Sequence, residues 1–424
     1  MRSWAFAATI LLLLVPALAG AQANPQAPPA PKPSANAGKR GQYHCKTSRP
    51  GYDYNVYVPA SYSEENPAGL HLFFHGQASQ GSATYFGTWA THFLDRFNLV
   101  GINMQYEDGD NMKDTEGKVK SAQEAVAQTI ADYKITVGRG VVSSFSGGGL
   151  PHSMFYDQQA KGGRGAAWPF CHSSLYSSNY RSKPASQKST PMTFFISVGQ
   201  GEWTLAQLGA DGLARMTELL GDSAQGAPSD LFFKVIKGKG HSIAEEEVAE
   251  SSNGFRRGDL AFAPFLYAPD YPEKELRTAV DEANALQLGR AASALDKLPE
   301  PLKEKGAKVR EKIDARAKAI LALAKELGES DPVLTAFYGP LFTRQLQGLP
   351  EQKELKETLA AAAKRPGHAR TLALVPMFQK NFRTFFESSG LMKPEQSPFL
   401  EQVKATAGPG SQLGHMAADY LLLK

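Results

Sequence analysis

Three residue types at three separated places in the chain could together do acyl-transfer chemistry. The first is Ser146, in Ser144-Phe145-Ser146-Gly147-Gly148-Gly149, directly after the apolar run Gly140-Val141-Val142-Ser143. A serine on a tight strand-to-helix turn is exposed as a nucleophile only if its neighbours are small, because the turn brings other chain very close. The positions two before and two after are Ser144 and Gly148. Leu150 to Phe155 would continue as helix, with Pro151 confined to its first turn. A glycine-rich turn with no chemistry has the same local sequence, so the reading depends on what accompanies it.

The second place is Glu202, the one carboxylate in Gly199-Gln200-Gly201-Glu202-Trp203, which follows the run Pro191 to Val198. A carboxylate there could orient a histidine; it could also cap a helix running from Leu205 to Leu220. The third is His241, in Lys237-Gly238-Lys239-Gly240-His241, after Leu231 to Ile236. The chain order Ser146, Glu202, His241 is that of α/β-hydrolases, and differs from the orders of chymotrypsin-like and subtilisin-like peptidases. His152 and His172 lack this setting and read as ordinary polar or partly buried groups. An oxyanion needs aimed backbone N–H donors. Gly147 supplies one, and Gln77, after the strand Leu70 to Phe74 and His75-Gly76, supplies the other.

These groups need a scaffold. Asn55 to Val58, Leu70 to Phe74, Leu99 to Met104, Gly140 to Ser143, Pro191 to Val198 and Leu231 to Ile236 read as strands. Val119, Ala122, Val126, Ile130 and Tyr133 recur at helical spacing, giving a helix over 118–134. Apolar strands alternating with helices predict a mostly parallel sheet covered on both faces. The class is α/β, an α/β-hydrolase domain over 41–268, followed by an all-helical C-terminal domain over 269–424. Residues 272–363 are rich in Ala, Leu, Glu and Lys, strong helix formers, and Pro272, Pro299, Pro301 and Pro332 sit where helices begin. Leu286 to Leu298 carries a faint tetratricopeptide-type pattern without a clean period. This tail reads as a cap or as a surface for a protein partner. Residues 395–412 read as a loop before a last short helix, and the polar stretch from Ser173 to Thr190 as a lid or a surface loop. Phe145, Trp203 and Tyr106 line an acyl pocket or simply fill core.

The 424 residues have 42% hydrophobic and 21% charged side chains and a net charge of +4. That suffices for a sizeable core, and is too weak and dispersed a charge for nucleic-acid binding. Arg2, the apolar run Trp4 to Leu18 and Ala21-Gln22-Ala23 read as a signal peptide over 1–23, with an uncleaved anchor as the alternative. Residues 24–40, rich in Pro and Ala, read as a flexible linker. Secretion or a periplasmic location follows from the leader. Cys45 and Cys171 are either one disulfide or two lone buried thiols.

Over residues 43–245 the chain resembles secreted esterases of the polyhydroxybutyrate depolymerase and feruloyl esterase type. Tyr57-Val58-Pro59-Ala60, Phe74-His75-Gly76, Phe145-Ser146-Gly147-Gly148 and Gly238-Lys239-Gly240-His241 carry the resemblance. In that group the third block usually opens with glycine, where Ser144 stands here. The acid there is usually aspartate, where this chain has Glu202. The resemblance implies ester hydrolysis through Ser146, His241 and Glu202, with no metal or organic cofactor and a small-molecule or polymeric ester as substrate. A non-catalytic scaffold on this fold and a serine peptidase of the same fold are the alternatives.

Overall fold

The computed structural model describes residues 31–76, 86–106, 114–161, 170–178, 192–202, 230–387 and 397–423. The leader and Gln77 lie outside them, as do Trp203 and the whole of 205–220.

Eight strands form one sheet: β1 (Gly41–Lys46), β2 (Tyr52–Val58), β3 (Ala68–Phe74), β4 (Leu99–Tyr106), β5 (Ile135–Phe145), β6 (His172–Tyr176), β7 (Thr193–Gly199) and β8 (Leu231–Ile236). Their order is β1-β2-β4-β3-β5-β6-β7-β8. β2 runs antiparallel to both its neighbours, and every pairing from β4 to β8 is parallel. This is the α/β-hydrolase arrangement. β3 is buried at all seven positions, which is why it reads as an apolar run broken by one polar residue, the buried His71: parallel strands inside such a sheet have no solvent face.

The alternation of side chains sorts the core into two layers. Leu70, Leu72 and Phe74 pack with Val119, Ala122 and Phe155 of helices α1 (Thr115–Asp132) and α2 (Gly149–Lys161). Phe73, Val141 and Phe195 face the other way, against Phe93, Leu94 and α3 (Glu245–Phe262).

The longer helices after α3 are α4 (Lys274–Asn284), α5 (Leu288–Leu295), α6 (Lys303–Ser330), α7 (Pro332–Gln345), α8 (Glu351–Ala363), α9 (His368–Glu387), α10 (Ser397–Ala407) and α11 (Gln412–Tyr420). α4 to α8 surround a core of their own, continuous with Leu260 and Leu266 at the end of α3. The last helices do something else. Leu374, Leu400, Val403, Leu413, Met416 and Tyr420 pack on Leu175, Ile196, Val198, Phe233 and Val235 of β6 to β8. By register, Leu175 lies on the same side as Ser144 and Val142, the side of α1 and α2. The tail therefore completes one face of the sheet.

Several expectations are corrected. Ser173 to Tyr176 belong to β6 and are buried, so they are neither lid nor surface loop; residues 179–190 lie outside the described residues. Residues 397–407 are helix α10, with Pro398 in its first turn and Gly408 at φ +76° just past its end. The linker is docked from Lys32 onward, whose carbonyl accepts from Nε2 of Gln128 at 3.0 Å. The Ser34 amide and hydroxyl donate to Asp132 at 2.6 and 2.7 Å, and the Tyr133 hydroxyl donates to the Lys39 carbonyl at 2.8 Å.

Cys45 and Cys171 are free, buried thiols. Cys45 is on β1 and Cys171 adjoins β6, five strand spacings away, or roughly 24 Å across the sheet. A disulfide spans far less. Burial pushes the Cys171 thiol up to about 12. Among the described residues, no helix is long and apolar enough to cross a membrane.

Candidate active site

β5 runs in extended conformation to Phe145, and the next residue, Ser146, takes φ +51°. The chain then makes a 3-10 turn over Ser146–Gly148 and enters α2. A non-glycine residue in the left-handed region costs about 1–3 kcal/mol and persists only where its surroundings impose it. Here they do. A Cβ on Gly148 would lie 2.3 Å from the Phe74 carbonyl oxygen and 2.6 Å from that of His75. A Cβ on Gly76 would lie 3.0 Å from Cβ of Ser146. The end of β3 and the turn after β5 are thus pressed together, and only glycines permit it.

Ser144 is accommodated because its side chain is a partner in a buried network. Its hydroxyl lies 2.9 Å from Nδ1 of His152 and 3.1 Å from the Ser178 hydroxyl, and Nε2 of His152 lies 3.1 Å from the Ser173 hydroxyl. Burial pushes His152 and His172 down to about 3, so both are neutral structural groups. His172 is held by Thr193 and Ser251.

Glu202 sits in the turn after β7, its side chain wholly buried. The Gly199 amide donates to its Oε1 at 3.0 Å, and the Ser177 hydroxyl donates to the same oxygen. Its Oε2 accepts from Nδ1 of His241 at 3.1 Å. A carboxylate only accepts, so Nδ1 carries the proton and Nε2 is left as an acceptor. Nε2 lies 2.7 Å from Oγ of Ser146. The Ser146 hydroxyl therefore donates to an imidazole whose far side is fixed by a buried carboxylate. His241 is a quarter exposed, and its ring packs 4.9 Å from that of Phe145.

The two loops carrying these groups are tightly joined. A Cβ on Gly199 would lie 2.4 Å from the Lys239 carbonyl oxygen, and the Gly201 amide donates to that oxygen at 3.0 Å. Lys239 also pairs with Glu247 of α3, a carboxylate with no exposed surface, which accepts from the Ala244 amide as well.

Gly147 follows Ser146 in the first turn toward α2, where amides have no acceptor within the helix. Gln77 lies outside the described residues, although Gly76 just before it adjoins Ser146. Of the aromatics considered for a pocket, Phe145 lies against His241, whereas Tyr106 is fully buried in the core. Sequence reading missed Ser177, Lys239, Glu247 and Gln200 as supports of the site. Ser177 carries one usable signal, a serine following a short strand, but that strand is too polar to be recognised.

No family model matches this chain, and no curated protein matches it. Among solved structures, Thermogutta terrifontis esterase 2 is similar at 14% identity and a TM-score of 0.36, covering 51% of this chain and 93% of that one. S-formylglutathione hydrolase from Staphylococcus aureus is similar at 11% identity and a TM-score of 0.36, covering 51% and 98%. A thermostable esterase is similar at 12% identity and a TM-score of 0.35, covering 46% and 54%.

Proposed function

We propose that this chain is an exported serine hydrolase that cleaves carboxylic esters through an acyl-enzyme. One observation carries the reading: Ser146, at φ +51°, is within 2.7 Å of an imidazole whose other nitrogen is bonded to the buried Glu202. Strain at a serine with an aligned base is the arrangement that activates an alcohol nucleophile.

In the first half-reaction Oγ of Ser146 bonds to the acyl carbon as its proton passes to Nε2 of His241. The carbonyl oxygen becomes an oxyanion, for which the Gly147 amide is a donor and the sequence reading offers Gln77 as the other. The C–O bond to the alcohol then breaks, and the alcohol leaves with the proton from Nε2. Water repeats the sequence on the acyl-enzyme, its proton passing through His241, and releases the acid and free Ser146. Glu202 keeps its bond to Nδ1 throughout, orienting the imidazole and stabilising the imidazolium that forms. Export rests on the leader read in residues 1–23.

The test is fluorophosphonate labelling of the mature protein, with Ser146→Ala beside it, followed by turnover of p-nitrophenyl esters. Labelling and ester turnover that both vanish in the variant are expected. A folded protein that takes no label would replace this reading with that of a non-catalytic scaffold. Labelling with peptide but no ester turnover would make it a peptidase.

A further inference from the structure

We infer that the end of the helical tail positions Glu202 and His241 through the side chain of Gln200, an inference that rests on the serine-hydrolase reading above. Gln200 lies between Gly199, the last residue of β7, and Glu202. Its Nε2 donates to the carbonyl of Leu422 at 2.9 Å, and its Oε1 accepts from the Gly238 amide at 3.1 Å. Its own amide donates to the carbonyl of Ile236 at 2.9 Å. One residue thus binds the acid loop, the histidine loop and the chain's last turn together. A primary amide is suited to this, because it donates and accepts at once without charge.

The Leu422 carbonyl is itself held in place. Leu421 and Leu422 pack on the cluster containing Leu175, Val198 and Val235, and Tyr420 is buried in it. One turn earlier, Asp419 accepts from the Val235 amide at 3.0 Å, fastening α11 to the edge of β8. At the other end of the bridge, Gly238 at φ +69° opens the run Lys239-Gly240-His241. The spacing of the two loops sets the 3.1 Å bond between Glu202 and His241. Gln200 makes its bonds to Leu422, Gly238 and Ile236 rather than to Ser146 or His241, so it is a positioning residue. The tail is then part of the hydrolase apparatus, beyond any role as a surface for partners.

The experiment uses the full chain. Gln200→Met keeps length and removes both side-chain bonds. Leu421→Ala/Leu422→Ala loosens the seat of the carbonyl. The two are made separately and combined. Each protein is assayed for kcat and KM on p-nitrophenyl butyrate across pH, for the rate of fluorophosphonate labelling, and for thermal unfolding. Gln200→Met is expected to lower kcat by roughly ten- to a hundredfold with KM within about twofold, the size of effect that small misplacements produce. The combined variant is expected to be no slower than the slower of the two, since both break one bridge. Parent-like kcat in Gln200→Met overturns the inference. So does strict additivity, or a loss that disappears when the assay is run well below every melting temperature. A parent protein that does not label at Ser146 overturns the underlying reading instead, and does so before any variant is compared.

Discussion

The Ser177 hydroxyl donates to the oxygen of Glu202 that faces away from His241. Ser177 itself sits at φ +48°, so two strained serines, 146 and 177, lie on adjacent strand ends in one site. A hydrogen bond to a charged group contributes about 1.5–3 kcal/mol. Ser177→Ala removes the bond but keeps the strain; Ser177→Gly removes both. Ester turnover should fall about tenfold or more in both variants, an amount that matches such a bond. The glycine variant should melt at the higher temperature. Equal turnover to the parent would mean that Glu202 is held adequately without Ser177.

The strain at Ser146 predicts an opposition between activity and stability. Ser146→Gly should be inactive and more stable than Ser146→Ala by about 1 kcal/mol, since only glycine adopts positive φ without cost. Denaturant melts of the two variants measure this directly. Equal stability would place the origin of the turn's geometry elsewhere than at this residue.

Lys239 and Glu247 form an ion pair with 10% and 0% of their side chains exposed, two residues from His241. Removing one partner leaves a buried charge and typically costs about 3–5 kcal/mol, while replacing both can be nearly neutral. Lys239→Met alone and Glu247→Gln alone should therefore each melt well below the parent, and the double variant should recover much of the loss. A double variant as unstable as the sum of the singles would rule out pairing as the source.

Burial raises Asp419 from the ordinary 3.8 to about 6, with Glu250 and Glu246 adding to it and Lys234 opposing. Between those values the folded chain keeps a proton that the unfolded chain has lost. This group's contribution to stability therefore falls as pH rises from about 4 to about 6 and is level above, by about 2 kcal/mol after allowance for its residual solvent contact. Asp419→Asn keeps an acceptor for the Val235 amide and never ionises. It should be more stable than the parent at pH 7.5 and indistinguishable at pH 4, as read by urea melts. The same difference at both pH values would refute the linkage.

Legibility in the sequence followed the physics of burial. β3 and β4 could be read because strands covered on both faces are mostly apolar, as Leu70, Leu72, Phe73 and Phe74 are around the buried His71. β6 could not, because His172, Ser173 and Ser174 are buried polar residues whose partners, Thr193, His152 and Ser251, are distant in sequence. The three chemical residues stood out because each follows a strand and has glycines beside it. Close chain approach at Gly148 and Gly199 is what demands those glycines. Their supports were hidden for the opposite reason. Gln200, Ser177 and Glu247 act through side-chain bonds to Leu422, Glu202 and Lys239, which leave no local pattern. The destination of the tail was hidden too, since the amphipathic stripe of α11 does not say which apolar surface it meets.

That destination has a bearing on biogenesis. A ribosome delivers β6, β7 and β8 well before residues 374–420, whose Leu374, Leu400, Leu413 and Tyr420 pack on Leu175, Ile196, Phe233 and Val235 of that face. That face closes through contacts of long sequence separation, the kind of closure that slows folding and exposes intermediates to aggregation. A chain that lost these helices would keep that apolar surface and be open to recognition by chaperones and proteases.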